Sequence, residues 1–171
     1  EVQTPAITAV LAPDGTGYSV ASETRLSHFQ IVLRSRRAGA WDAGSVVTQS
    51  SGDAFEPALT LLGTNDLAIV WCDTRLGAVR LFYRARVGGV WTSEQVLSTL
   101  SGEHRAPSIG ADSKGGVHVA WVLNDEGLPK IHYLRFPYLS PYGQPFTVSG
   151  ANESAANPLV TALPMGGAIV T

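Results

Sequence analysis

Apolar and polar positions along this chain fall into short runs separated by turn residues, with no stretch of helical periodicity. The clearest run begins Ile69-Val70-Trp71-Cys72 and turns through Asp73-Thr74-Arg75 and Gly77. It resumes as Arg80-Leu81-Phe82-Tyr83-Arg84 and passes Gly88-Gly89-Val90 to Trp91. A short apolar run bounded by turn residues predicts a strand, and one apolar at nearly every position predicts a strand covered on both faces. Residues 67–71 and 117–121 are of that second kind.

The pattern repeats. Prolines that open apolar runs stand at Pro5, Pro57, Pro107 and Pro158, at intervals of 52, 50 and 51 residues. Trp41 and Trp91, Trp71 and Trp121, and Tyr83 and Tyr133 are each 50 apart. Each unit predicts four strands. The first follows the proline (residues 6–10, 58–62 and 108–111). The second covers 18–21, 67–71, 117–121 and 168–170, and the third 30–34, 80–84 and 130–134. A weaker fourth covers 46–48, 96–98 and 146–149. Asp14-Gly15, Asn65-Asp66 and Gly166-Gly167 suit the hairpins between first and second strands, because these residues tolerate positive φ. The third unit departs from the others, carrying Pro137-Tyr138-Leu139-Ser140-Pro141-Tyr142 in place of Gly-Gly-x-Trp.

Four antiparallel strands per unit of about fifty residues predict an all-β fold of β-propeller blades. The expected division of the single partial propeller, residues 1–171, is blades at 5–56, 57–106 and 107–157 and a half-blade at 158–171. Three and a half blades fall short of the four to eight of a closed ring. An incomplete sheet leaves an unpaired edge, so further blades or a protein partner are expected to complete the ring.

Composition narrows the function classes. Net charge is −2 and pI about 6.1, which argues against a nucleic-acid surface. Lys114 and Lys130 are the only lysines among twelve basic residues. Arginine suits ordered ion pairs between sheets, and it equally suits carboxylate or glycan recognition. The single cysteine, Cys72, allows no intrachain disulfide and reads as a small buried residue. No apolar run approaches the ~20 residues of a membrane span. The chain starts at Glu1, so a removed leader or a longer parent protein is expected, with an extracellular or periplasmic location.

The repeat resembles the sialidase-like (BNR-type) propellers. Their blades often read Trp-x-Asp-x-Arg-x-Gly, then an Ile-Tyr-Tyr-Arg-like strand, then Gly-Gly-x-Trp. Here these are Trp71-Cys72-Asp73-Thr74-Arg75-Leu76-Gly77, Leu81-Phe82-Tyr83-Arg84 and Gly88-Gly89-Val90-Trp91. The first unit keeps Glu23, Arg25 and Trp41; the third keeps Trp121 and Tyr133 but loses the Asp and Arg. That family's Ser-x-Asp-x-Gly-x-Thr-Trp box survives only as Gly88 and Trp91, with Arg84 and Arg86 where its Ser and Asp stand. His104-Arg105-Ala106-Pro107 is similar to the Arg-Ile-Pro motif whose arginine grips a sialic acid carboxylate, although the residue two before the proline is Gln3, Phe55 and Ala156 in the other units. The resemblance implies fold more strongly than activity.

With first strands lining the central channel, the links between units and the turns between second and third strands share one face. That face gathers Glu23, Arg25, Asp73, Arg75, Asn124, Asp125 and Glu126 from the turns, and Asp53, Glu56, Glu103, His104, Arg105 and Glu153 from the links. Arg105, His104, Arg75, Asp73, Arg25 and Glu23 are the candidate ligand-binding residues. Asp73 with Arg75 reads more readily as a structural pair, the carboxylate accepting turn amides and the arginine reaching the next blade, than as a ligand pair. A sialidase-like hydrolase would need three clustered arginines, a Tyr–Glu pair and an acid, and no such set is assembled in this sequence. No cofactor motif and no metal-ligand spacing stands out, and His118 and His132 read as packed residues. These observations favour a non-catalytic binding or assembly module that docks protein partners. The alternative is a lectin or part of a sialidase-like glycoside hydrolase, with Arg105, Arg75 and Arg25 engaging acidic sugar groups.

Overall fold

The computed structural model describes residues 7–25, 27–125 and 127–171, and these form four antiparallel sheets. In the first, β1 (Ile7–Leu11), β2 (Gly17–Arg25) and β3 (His28–Arg37) pair in order, and short β4 (Ala40–Trp41) and β5 (Ser45–Val46) both pair with β3. The second repeats this with β6 (Ala54–Leu62), β7 (Asp66–Asp73), β8 (Arg80–Val87), β9 (Val90–Trp91) and β10 (Gln95–Val96). The third holds β11 (Glu103–Ala111), β12 (Gly116–Asn124), β13 (Lys130–Pro137) and β14 (Phe146–Thr147), and the fourth is the hairpin of β15 (Val160–Ala162) and β16 (Ala168–Val170). The chain has an all-β propeller-blade architecture, and among the described residues no helix is long and apolar enough to cross a membrane.

The sheets stack face to face. One core cluster, with Tyr18, Ile31, Leu67, Ile69 and Trp71, joins the first two sheets. A second, with Val70, Tyr83, Val119, Trp121 and Phe136, joins the second to the third. A smaller one seats Val160 against Ala120, Val122 and Ile131. Strands β7 and β12 supply side chains to clusters on both of their faces, hence their continuous apolar runs. The first strands β1, β6, β11 and β15 pack in succession and form the inner edge of the stack.

Three features of the backbone were not apparent as strand pattern. Strands β6 and β11 begin before their prolines, because a bulge between Phe55 and Ala58, and again between Arg105 and Ser108, carries the pairing past the ring that cannot donate. The turns Ala38-Gly39 and Gly88-Gly89 place both central residues at positive φ, the geometry that matches strand twist in two-residue hairpins. A residue near the start of each third strand ties down the link that follows its sheet. Gln30 donates to Ser50 O, Arg80 to Gly102 O, and the Lys130 ammonium to the carbonyls of Gly150, Ala151 and Glu153. The link loops are thus anchored through backbone oxygens, which lets their sequences vary.

Candidate functional site at the channel mouth

The residue before each of Pro57, Pro107 and Pro158 lies in the left-handed region. Glu56 has φ 50°, Ala106 48° and Asn157 50°. That conformation costs a non-glycine residue of order 1–3 kcal/mol, and such strain concentrates at functional sites. All three residues line one cleft of about 400 Å³ at the end of the inner strands, together with Arg105, Val122, Asn124, Pro129 and residues 154–156. The repeated proline marks the position in the sequence, but the strain belongs to the residue in front of it. Residue type there (Glu, Ala, Asn) carries no common signal.

Glu56 organises the cleft. Its Oε1 accepts from Arg105 Nε at 3.0 Å and Nη2 at 2.7 Å, and its Oε2 accepts from the Ala106 amide at 2.6 Å. The carboxylate belongs to the second sheet and the guanidinium to the third, so the pair closes the seam between them. The Glu56 hydrogen bond raises the Arg105 pKa above its ordinary value, and the guanidinium also lies over the Phe55 ring at 5.4 Å. Beneath the pair, Cys72 donates its thiol to His104 O at 3.1 Å; burial pushes that thiol far up, so it is not a nucleophile.

The other candidate residues are placed as follows. His104 is fully buried below the face, its ring stacked on Trp121 at 6.1 Å and its Nδ1 donating to Val79 O at 3.2 Å. Burial lowers its pKa to about 4, so it is neutral at pH 7. Asp73 is also fully buried. It accepts from Trp71 Nε1 at 3.1 Å, Ser50 Oγ at 2.8 Å, the Arg75 amide at 2.9 Å and Arg75 Nη2 at 2.6 Å. Burial opposes ionisation of Asp73, but these donors prevail and hold it below the usual carboxylate range. Arg75 bridges Asp73 to Glu94 and lies over Phe82 at 4.4 Å. Glu23 pairs with Arg34 and, at 3.0 Å, with Arg25; the Arg34 hydrogen bond is the main cause of its lowered pKa. Each of Arg25, Arg75 and Arg105 is therefore engaged by a carboxylate of this chain. Glu126, Pro5 and Gln3 lie outside the described residues. Among the described residues, no three His, Cys, Asp or Glu side chains gather as a metal site.

The cleft does not end at Asn124. That residue also lines an adjoining recess of about 660 Å³ with Gly102, Glu103, Ser101 and Asp125. The last two continue into a cleft of about 530 Å³ that reaches His132 and Lys130 on β13. The three clefts adjoin through these shared residues, the first on the side of the third sheet that faces the fourth and the last on the side that faces the second. Their Glu56, Glu103, Asp125 and Asn124 form a mixed acidic and amide lining.

No protein-family model and no curated protein sequence matches the chain. Solved structures do. An α-L-arabinofuranosidase from Fusarium graminearum, in complex with an iminosugar inhibitor, superposes with a TM-score of 0.67 at 13% identity over 100% of this chain and 60% of its own. An α-L-arabinanase from Penicillium chrysogenum, complexed with arabinobiose, gives 0.66 at 16% identity over 96% of this chain and 57% of its own. A fucose lectin from Kordia zhangzhouensis, in complex with methyl-fucoside, gives 0.54 at 15% identity, covering 85% of this chain and 98% of the lectin. The likeness establishes the β-propeller fold, and the chain spans about 60% of the length of the arabinan-acting enzymes. It also corrects the functional expectation. A non-catalytic module docking protein partners is overturned, because the neighbours that cover essentially the whole chain are glycoside hydrolases. The sialidase-like family expected from the repeat motifs is not confirmed by these neighbours, which share the broader propeller architecture with it.

Proposed function

We propose that this chain is the ligand-facing part of a glycan-active propeller, a glycoside hydrolase acting on neutral chains of the arabinan kind. The observation that carries this reading is the channel-mouth cleft, where three strained residues converge and Glu56 is fixed by Arg105 and the Ala106 amide. Rigid carboxylates and amides on a partly apolar wall suit sugar hydroxyls and C–H faces. A neutral glycan fits better than a sialylated one, because all three candidate arginines already hold carboxylates of the protein.

Glycosidic hydrolysis uses two carboxyl groups across the scissile bond. Glu56 is placed to be one of them, as nucleophile or base, because its oxygens are positioned by three donated hydrogen bonds. The second, and the remaining blades of the ring, would come from further chain. A lectin is the second reading, favoured by the match that spans 98% of the fucose lectin. An exported protein is proposed along with either role.

The test is calorimetric titration of the protein with arabinobiose, longer arabino-oligosaccharides and methyl-fucoside, with reducing-end release followed in parallel. Binding in the micromolar to millimolar range, worth about 4–8 kcal/mol, is expected. Loss of at least tenfold in affinity or turnover is expected for Glu56→Gln. Absence of binding to every sugar would refute the reading, and binding without release would select the lectin.

A further inference from the structure

The repeat makes the last of these clefts interpretable. Trp71 on β7 pairs in register with Phe82 on β8, and Trp121 on β12 pairs in the same way with His132 on β13. In the second sheet the Trp71 and Phe82 rings stack at 5.8 Å, and the Arg75 guanidinium covers Phe82 at 4.4 Å, tied to Asp73 and Glu94. In the third sheet Trp121 and His132 also stack at 5.8 Å. By the same register Leu123 stands where Asp73 does, and Asp125 follows two residues later where Arg75 does. Among the described residues, no arginine lines the cleft beside His132. The space that such an arginine would fill is this cleft of about 530 Å³, lined by His132, Leu123, Leu128, Leu100 and Ser101.

We propose that this cleft is an outer subsite, in which a sugar ring of a linear neutral oligosaccharide rests where the guanidinium rests in the second sheet. This rests on the glycan reading above and specifies a chain-like ligand rather than a single sugar. The platform is rigid because His132 is backed by the fully buried Trp121. A planar ring flanked by leucines takes the apolar face of a sugar, as aromatic side chains do elsewhere. Polar capacity is also present. Ser101 and Asp125 stand in the walls of the cleft, and groups of that kind suit a hydroxyl-rich ligand. Lys130 contributes a wall rather than a grip, since its ammonium is committed to three loop carbonyls.

The experiment titrates the protein with arabino-oligosaccharides of increasing length, comparing the native chain with His132→Ala, His132→Phe and Leu128→Asp. Leu128 is half-exposed, so its substitution leaves the fold intact. We expect affinity to rise with length until the outer subsite is filled. His132→Ala and Leu128→Asp should lose that increment, about five- to tenfold for one ring stacked on an aromatic, while His132→Phe keeps it. Arabinobiose affinity should be unchanged in all three. Affinity that is independent of length, or an increment that survives both disruptive variants, overturns the subsite and leaves the channel-mouth reading standing. Failure of every sugar to bind the native protein refutes the channel-mouth reading first and the subsite with it.

Discussion

The buried His104 gives the fold an acid sensitivity that can be calculated. Its ring sits between the second and third sheets with Nδ1 donating to Val79 O and Nε2 facing no acceptor among the described residues. Protonation would place a second N–H and a charge in that position with nothing to receive either, and Arg80 and His132 add like charge. The folded pKa is about 4, against 6.5 for an ordinary histidine. Above pH 6.5 the ring is neutral in both states and His104 does not affect the balance. Between 6.5 and 4 the unfolded chain binds a proton that the native chain refuses, so stability falls as pH falls. The slope is about 1.4 kcal/mol per pH unit, and the accumulated loss reaches about 2.5 kcal/mol by pH 4.5. His132, also lowered by burial, adds in the same direction. Denaturant unfolding followed by tryptophan fluorescence between pH 7.5 and 4.5 measures the slope. The variant His104→Gln keeps a donor for Val79 and removes the titration. It should be less stable at neutral pH and lose about 2.5 kcal/mol less than the native chain on acidification. Parallel pH curves for the two proteins would refute the reasoning.

Two further outcomes follow from the same packing. Asp73→Ala strips Trp71, Ser50 and Arg75 of their common acceptor and should cost about 3–5 kcal/mol, read as a lowered thermal midpoint, whereas a loss under 1 kcal/mol would mean the cluster is replaceable by water. Gly102→Ala must drive its Cβ into Asn124 O at φ +96°, so it should cost well over the roughly 1 kcal/mol expected at the open hairpin glycine Gly39 and should weaken glycan binding by shifting the wall of the recess it lines; equal costs at the two sites would contradict this.

The fold was legible because propeller sheets are built from local pattern. Apolar runs such as 67–71 are long enough to show burial on both faces, and turn residues recur at fixed offsets. The Pro–x–x landmarks and the paired tryptophans exposed the period without any tertiary information. What the pattern could not contain is the bulge. A strand that crosses its proline by kinking through a left-handed residue looks, in sequence, like a loop followed by a strand, so the starts of β6 and β11 lay earlier than the apolar runs indicated. The six candidate residues were chosen for charge on one expected face, and of them Arg105 lines the cleft. Charge does not report depth, however: His104 and Asp73 proved fully buried, while Glu56, one link residue among several, organises the cleft.

The deeper lesson concerns how a repeat diverges. The Asp73–Arg75 pair attracted notice because it matched a motif, yet that match is what fills its own site: the guanidinium occupies the ring face and the carboxylate saturates the tryptophan N–H. The third sheet lost the motif and kept the stack. Trp121 Nε1 consequently has no acceptor among the described residues, and the face of His132 lies against a cleft rather than a side chain. A structural unit that retains its packing while discarding the groups that close it is exchanging stability for access. In a repeat protein the copy that departs from consensus is therefore the place to look for ligand, and the consensus copies supply the geometry from which the vacancy can be measured.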